Sequence, residues 1–185
     1  MEKTMTVYEI IARRRSIRDF LDTPIEKDKL MLCLEAARLA PSASNSQPWK
    51  FIVVDDKALK NRLCDAAFGG FFRFNSFCKT APVIVVLIAE QSRFITRIGG
   101  HIKDIQYNLV DIGIAGEHFV LQAEELELGT CWIGWFNENS VKATLAIPEN
   151  KRIAMLIAVG YSKQGKISTK QIREPVEKIV SFNTY

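Results

Sequence analysis

The chain has little of what most hydrolytic or metal-binding sequences display. Only two of its 185 residues are histidine, His101 and His118, and neither stands beside an obvious nucleophile. No G-x-S-x-G elbow is present, so a hydrolytic triad is poorly supported. The four cysteines, Cys33, Cys64, Cys78 and Cys131, form no C-x-x-C pair. A structural zinc site needs closely spaced Cys and His ligands, so no metal is expected, and buried or free thiols in a reducing compartment fit better. No G-x-G-x-x-G follows a strand and no G-x-x-x-x-G-K-[ST] occurs, which removes the Rossmann and P-loop nucleotide sites.

Charge of one sign is also scarce. Lys and Arg number 25 against 21 acidic residues, a net charge of +4. That excess is too small and too evenly spread for a nucleic-acid surface. The longest apolar run, Val83 to Ala89, falls far short of the ~20 residues that span a bilayer. The N-terminus lacks the apolar core of a signal peptide. The expectation is a cytoplasmic protein with neither nucleic acid nor membrane as partner. With so few candidate acid–base groups, the chemistry is expected to belong to a bound cofactor.

What is present reads as one globular domain over residues 1–185, with an ordinary hydrophobic share of 48%. Thr6 and Glu9 have the spacing of a capping box opening a first helix. Leu30, Leu34, Ala37 and Leu39 recur at helical spacing, and Pro41 ends that pattern. Trp49–Val54 alternates as a strand should. Asp56–Ala67 reads as a helix, followed by a loop carrying Phe71, Phe72 and Phe74, with Phe77 beyond it. Core packing is the simpler role for these rings; cover for a substrate cavity is the sharper one. Val83–Ala89 is apolar on both faces and suits a central strand.

The clearest period follows. Ile102, Ile105, Leu109, Ile112, Gly116, Phe119, Ala123 and Leu126 are spaced three and four apart, a helix of about seven turns. Small residues at its middle (Gly113, Ala115, Gly116) allow another helix to approach, so it is expected at the core or at a dimer contact. Gly129 is expected at its C′ position, Thr130–Phe136 as a strand, Ser140 as the cap of a short helix, and Ile153–Tyr161 as a buried strand. The stretch from Gln164 onward is polar and irregular. Helices and strands without regular βαβ alternation indicate an α+β fold.

Three polar clusters stand out. Arg14-Arg15-Ser16-Ile17-Arg18 presents guanidinium forks that match phosphate oxygens, or simply cations at a solvated helix end. Ser42-Ala43-Ser44-Asn45-Ser46-Gln47-Pro48-Trp49 offers an amide pair able to donate and accept at a heterocycle's edge, or a plain proline-bounded loop. Gly129-Thr130-Cys131-Trp132-Ile133-Gly134-Trp135 lets backbone approach a ligand, or is a buried strand with a bulge.

Taken together, R-R-S-I-R-D-F (Arg14–Phe20), A-P-S-A-S-N-S-Q-P-W (Ala40–Trp49) and L-G-T-C-W-I-G (Leu128–Gly134) resemble the FMN-dependent nitroreductase family. Gly160-Tyr161 and Arg173-Glu174-Pro175 extend the likeness over nearly the whole chain. The resemblance implies a nitroreductase-like fold, with a central mixed or antiparallel sheet flanked by helices and the long helix at a homodimer interface that holds the FMN. It implies that Arg14, Arg15, Ser16 and Arg18 contact the FMN phosphate and pyrimidine edge. Ser42, Ser44, Asn45 and Gln47 match the loop that approaches the flavin, partly from the other subunit. Trp132, Ile133 and Gly134 match the strand end along the ring. Arg173 matches a late phosphate contact that Lys170 assists. The implied activity is a hydride relay from NADH or NADPH to a small electron-poor acceptor, such as a nitroaromatic or quinone. No side-chain nucleophile is implied, and Cys131 reads as packing. Dehalogenation, oxygenation, or flavin binding without turnover are the alternatives.

Overall fold

A computed structural model describes residues 5–90, 106–163 and 172–185. Its centre is a four-stranded sheet in the order β1-β2-β4-β3: β1 (Trp49–Val54), β2 (Val83–Ala89), β3 (Gly129–Ile133) and β4 (Arg152–Gly160). All three strand pairings are antiparallel. The one parallel contact among the described residues is the bridge between Ser16 and Thr130, outside the strand ladders.

The run Val83–Ala89 is apolar on both faces because β2 is covered on both. All seven residues are buried, and they divide by parity. Ile84, Val86 and Ile88 join one core with residues of α3 (Lys57–Ala67) and α5 (Glu138–Leu145). Val83, Val85, Leu87 and Ala89 join the other with α2 (Lys27–Arg38) and α4 (Tyr107–Glu125). The result is helices, sheet, helices: three layers built by period-2 alternation. Fully burying each Val, Leu or Ile contributes about 1.5–3 kcal/mol, so β2 anchors both cores.

Local signals act as their chemistry dictates. Thr6 caps α1 (Val7–Arg13) by accepting from the Glu9 amide at 3.2 Å, and Glu9 returns to the Thr6 amide at 2.7 Å. Asp56 caps α3 through the Leu59 amide at 2.7 Å.

Several expectations are corrected. The phenylalanine segment is not an open loop but a 3₁₀ run over Gly70–Thr80, which buries Cys78 and sets Phe77 against the core. The end of α4 is a Schellman turn in which Glu127, at φ 64°, takes the left-handed position. Its amide donates to the Glu124 carbonyl at 3.1 Å, and the Leu128 amide donates to Ala123 at 2.8 Å. Gly129 instead opens β3, where an added Cβ would lie 2.7 Å from Ile17 Cγ1. The strand β3 ends at Ile133 rather than Phe136, and the cap of α5 is Asn137, which accepts from the Ser140 amide. The small-residue centre of α4 also has another use. A Cβ on Gly116 would come within 2.1 Å of Trp132 Cη2, so this glycine admits an indole from β3, not a second helix. The described α4 has 19 residues, about five turns; Ile102 and Ile105 lie outside the described residues, as does His101.

The segment 172–185 is exposed throughout and carries Ile172, Val176, Ile179, Val180, Phe182 and Tyr185. Among the described residues, no helix is long and apolar enough to cross a membrane.

Candidate functional site

Residues 14–18 leave the end of α1 and run beside β3. The Ile17 amide donates to the Thr130 carbonyl at 2.9 Å, which fixes this turn to the sheet edge. Two consecutive arginines then reach the C-terminal half of α4. Arg13 meets Glu124 at 2.5 Å and also donates to its carbonyl at 2.6 Å, while Arg14 Nε lies 3.6 Å from Glu117. The two glutamates are seven residues apart, hence on one face of the helix. Arg15 folds back, its Nη1 donating to the carbonyls of Ala12, Arg13 and Arg14 at 2.7–2.9 Å. Arg18 and Ser16 are exposed, and Arg18 donates to the Ser16 carbonyl at 3.4 Å.

Cys131 of β3 feels several of these groups. Burial pushes its thiol up, while the charges of Arg18 and Arg14 and a hydrogen bond with Ser16 pull the other way. Cys131 is a packed, buried thiol of β3. All four cysteines are buried and unbridged.

The 42–47 loop is built differently. Ser44, Asn45 and Gln47 have φ of 53°, 52° and 46°, the left-handed region that non-glycine residues adopt at a cost. Internal bonds hold the shape. Gln47 donates its amide to Ser42 Oγ at 2.9 Å and its side-chain Nε2 to Asn45 Oδ1 at 3.1 Å. The loop meets the body at Asp111 of α4, whose Oδ1 accepts from the Ala43 amide at 3.1 Å.

At the end of β3 the side chains diverge. Ile133 enters the core, Trp132 lies against Gly116, and Gly134 is exposed. What the strand end offers a ligand is therefore backbone at Gly134. Trp132 and Gly134 also line a cavity of about 430 Å³ with Leu109, Ile112, Ile153 and Met155. Beyond Gly134, Trp135 packs in tilted contact with Phe71 and Phe72 at ring separations of 5.9 and 5.6 Å, and Asn75 donates to the Trp135 carbonyl at 2.8 Å. Phe71 and Phe74 remain 83% and 96% exposed, so part of the phenylalanine segment is surface.

Within one chain the predicted residues do not converge on one point. Asp111, which holds the loop, and Glu117, which holds Arg14, are six residues apart on α4. That spacing sets them about 9 Å apart along the axis and about 120° around it. Arg173 is exposed in the tail and donates to its neighbouring Ile172 carbonyl. Lys170 lies outside the described residues. Sequence reasoning missed Asp111, Asn75 and the α4 glutamates. The signal for Asp111 was available, since it is the one acidic residue between Leu109 and Gly116.

A family model described as the nitroreductase family matches residues 11–161. The chain belongs to the nitroreductase family. A putative NADH dehydrogenase/NAD(P)H nitroreductase of Archaeoglobus fulgidus is 33% identical over 85% of this chain and 86% of its own length. The solved FMN-dependent nitroreductase of Clostridium difficile R20291 is 31% identical, covers 95% and 98% of the two chains, and superposes with a TM-score of 0.74. An iodotyrosine deiodinase of Thermotoga neapolitana is 26% identical over 97% and 98%.

Proposed function

We propose that this nitroreductase-family chain is a single-domain, FMN-dependent, NAD(P)H-consuming oxidoreductase. In this reading it acts as a homodimer in the cytoplasm and reduces small electron-poor acceptors such as nitroaromatics or quinones. The observation that carries the reading is the donor set: a cationic turn at Arg14–Arg18 fixed to β3 at Thr130, with the exposed Gly134 following the far end of that strand. That set fits FMN, which needs cations for a phosphate dianion and backbone or amide groups for a heterocycle edge. Bound FMN would supply the hydride chemistry, accepting from the nicotinamide and donating to the acceptor.

The protein's own residues bind, orient and exclude water. Arg14 and Arg173, with Lys170, would hold the phosphate. Ser16, Arg15 and Arg18 would hold the neighbouring polar edge. Arg15 contributes less than its charge suggests, because its guanidinium already serves three carbonyls. Trp132, Ile133 and Gly134 would form the wall along the ring, Gly134 by its backbone. Ser42, Ser44, Asn45 and Gln47 would face the flavin held by the partner protomer. Separation of the two clusters on α4 supports that division between protomers. So does the exposed apolar surface of α1 (Val7, Tyr8, Ile11) and of the tail, which suits an interface with a second copy.

The likeness to an iodotyrosine deiodinase keeps reductive dehalogenation as a second reading. Anaerobic steady-state assays with NADH or NADPH, varied against a nitroaromatic, a quinone and a halophenol, separate the two. Parallel double-reciprocal lines with the nitroaromatic or quinone support the reductase. Halide release without turnover of the other acceptors favours the second reading. Flavin binding with no acceptor-dependent nicotinamide oxidation rejects both. Light scattering of the flavin-loaded protein checks the dimer, which a monomer holding stoichiometric FMN would contradict.

A further inference from the structure

The carboxylate of Asp111 sits where a carboxylate is expensive. It is 4% exposed, in a stretch of α4 otherwise free of charge from Leu109 to Gly116. One oxygen accepts the Ala43 amide at 3.1 Å; the other is buried with no partner. Among the described residues only one other buried side-chain polar atom is in that condition, the Ser46 hydroxyl. The Ser46 amide donates to the Ala43 carbonyl at 3.1 Å, so both atoms belong to the turn that meets α4. An apolar residue would pack at position 111 without a desolvation cost, so what the carboxylate supplies must be the hydrogen bond.

That bond has a clear task. Three left-handed, non-glycine residues hold together only where surrounding contacts over-determine them. The loop's internal bonds fix its shape, yet none of them fixes its place relative to α4. A carboxylate accepting a backbone N–H is roughly twice as strong as a neutral acceptor, which suits one short tether. We infer that Asp111 is the positioning residue of the 42–47 loop, setting Ser44, Asn45 and Gln47 at a fixed height on α4 through the Ala43 amide. This rests on the reading that the loop approaches the flavin; Asp111 itself acts through the loop.

The hydrogen bond can be removed from either side. Asp111→Ala deletes the acceptor. Ala43→Pro deletes the donor and leaves Asp111 intact, and the backbone there tolerates it: Ala43 opens the 3₁₀ turn, and Ser42 before it is extended at φ −146°, ψ 155°. Asp111→Asn keeps an acceptor oxygen. Two measurements decide the matter: hydrogen–deuterium exchange on the flavin-free protein, and FMN titration by fluorescence. Asp111→Ala is expected to speed exchange at least tenfold in peptides covering 42–48, with β2 and β4 peptides unchanged. FMN affinity falls at least tenfold in Asp111→Ala and by a similar factor in Ala43→Pro, and Asp111→Asn recovers most of the loss. The inference is overturned if exchange in 42–48 does not change, if only the sheet loosens, or if Asp111→Ala weakens FMN binding while Ala43→Pro binds FMN as the parent does or Asp111→Asn is no better than Asp111→Ala. Asn45→Ala is the separate control for the flavin reading. If it and Asp111→Ala both leave FMN binding untouched while 42–48 exchange accelerates, the tether stands and the loop's flavin role is lost.

Discussion

The two halves of the candidate site are held by different means. The 14–18 turn is pinned by a backbone bridge to Thr130, and Arg14 at its start, with Arg13 before it, is braced by two glutamates on one face of α4. The 42–47 loop has no strand partner; it keeps three left-handed residues through side-chain bonds and one carboxylate. A segment braced by a sheet edge can lose a charge and keep its geometry. A segment held by strain and one tether loses its geometry first. Perturbing the first half should therefore change how strongly an anion is held, and perturbing the second should change where polar groups sit.

The largest effect is expected from charge. Replacing Arg14 and Arg173 together with Ala removes two charge-assisted contacts and should weaken FMN binding by about 100-fold or more, read by equilibrium dialysis. Unchanged flavin content would remove the phosphate clamp from the account and leave the halves indistinguishable. Next is the brace behind the braced half. Gly116→Ala would drive a methyl into Trp132, 2.1 Å from Cη2 and 2.9 Å from Cζ2. Overpacking of that kind costs about 1–3 kcal/mol, a fall of several degrees in melting temperature, and Trp132→Phe should recover part of it. Gly113→Ala, with nothing within 4 Å of the added carbon, should be neutral or stabilising by up to about 1 kcal/mol.

A smaller effect tests the core under both halves. Burial pushes Cys33 up to about 12 and Cys64 up to about 11 from an ordinary 9.0, one thiol on each side of the sheet. Above pH 9 the unfolded chain releases these protons and the folded chain keeps them. Stability should therefore be intact below about pH 9 and decline up to pH 11–12, measured by denaturant midpoints. A Cys33→Ala/Cys64→Ala pair should flatten that decline. The smallest effect is at the helix end: Glu127→Gly relieves a left-handed residue and should gain about 0.5–1 kcal/mol.

Much of the fold was legible because short-range chemistry decides it. The Thr6–Glu9 box, the helix read over Asp56–Ala67 and the two-faced run at β2 formed where their patterns said. The misreadings arose where tertiary contact overrides a local rule. Gly129 resembles a helix terminator, yet Ile17 claims its missing side chain, and Glu127 accepts the left-handed position instead. Gly116 resembles a helix-contact glycine until Trp132 fills the space. In the candidate site, the run of cations at Arg14–Arg18 was visible in the sequence, while the phosphate role proposed for it rests on the family resemblance. The sequence did not show that the Arg15 guanidinium turns back onto its own helix end. Asp111 was overlooked because a lone carboxylate in an apolar helix is a weak signal without a motif, and its burial and its bond to Ala43 are what give it meaning.

The central claim is that the chain moves hydride from a nicotinamide to a small acceptor by way of FMN. The most direct measurement mixes the FMN-loaded protein anaerobically with NADH or NADPH, follows the visible flavin band, and then adds a nitroaromatic or quinone. The band is expected to bleach with one equivalent of nicotinamide and to return when the acceptor is added. A band that neither nicotinamide bleaches, on protein that holds FMN stoichiometrically, would contradict it.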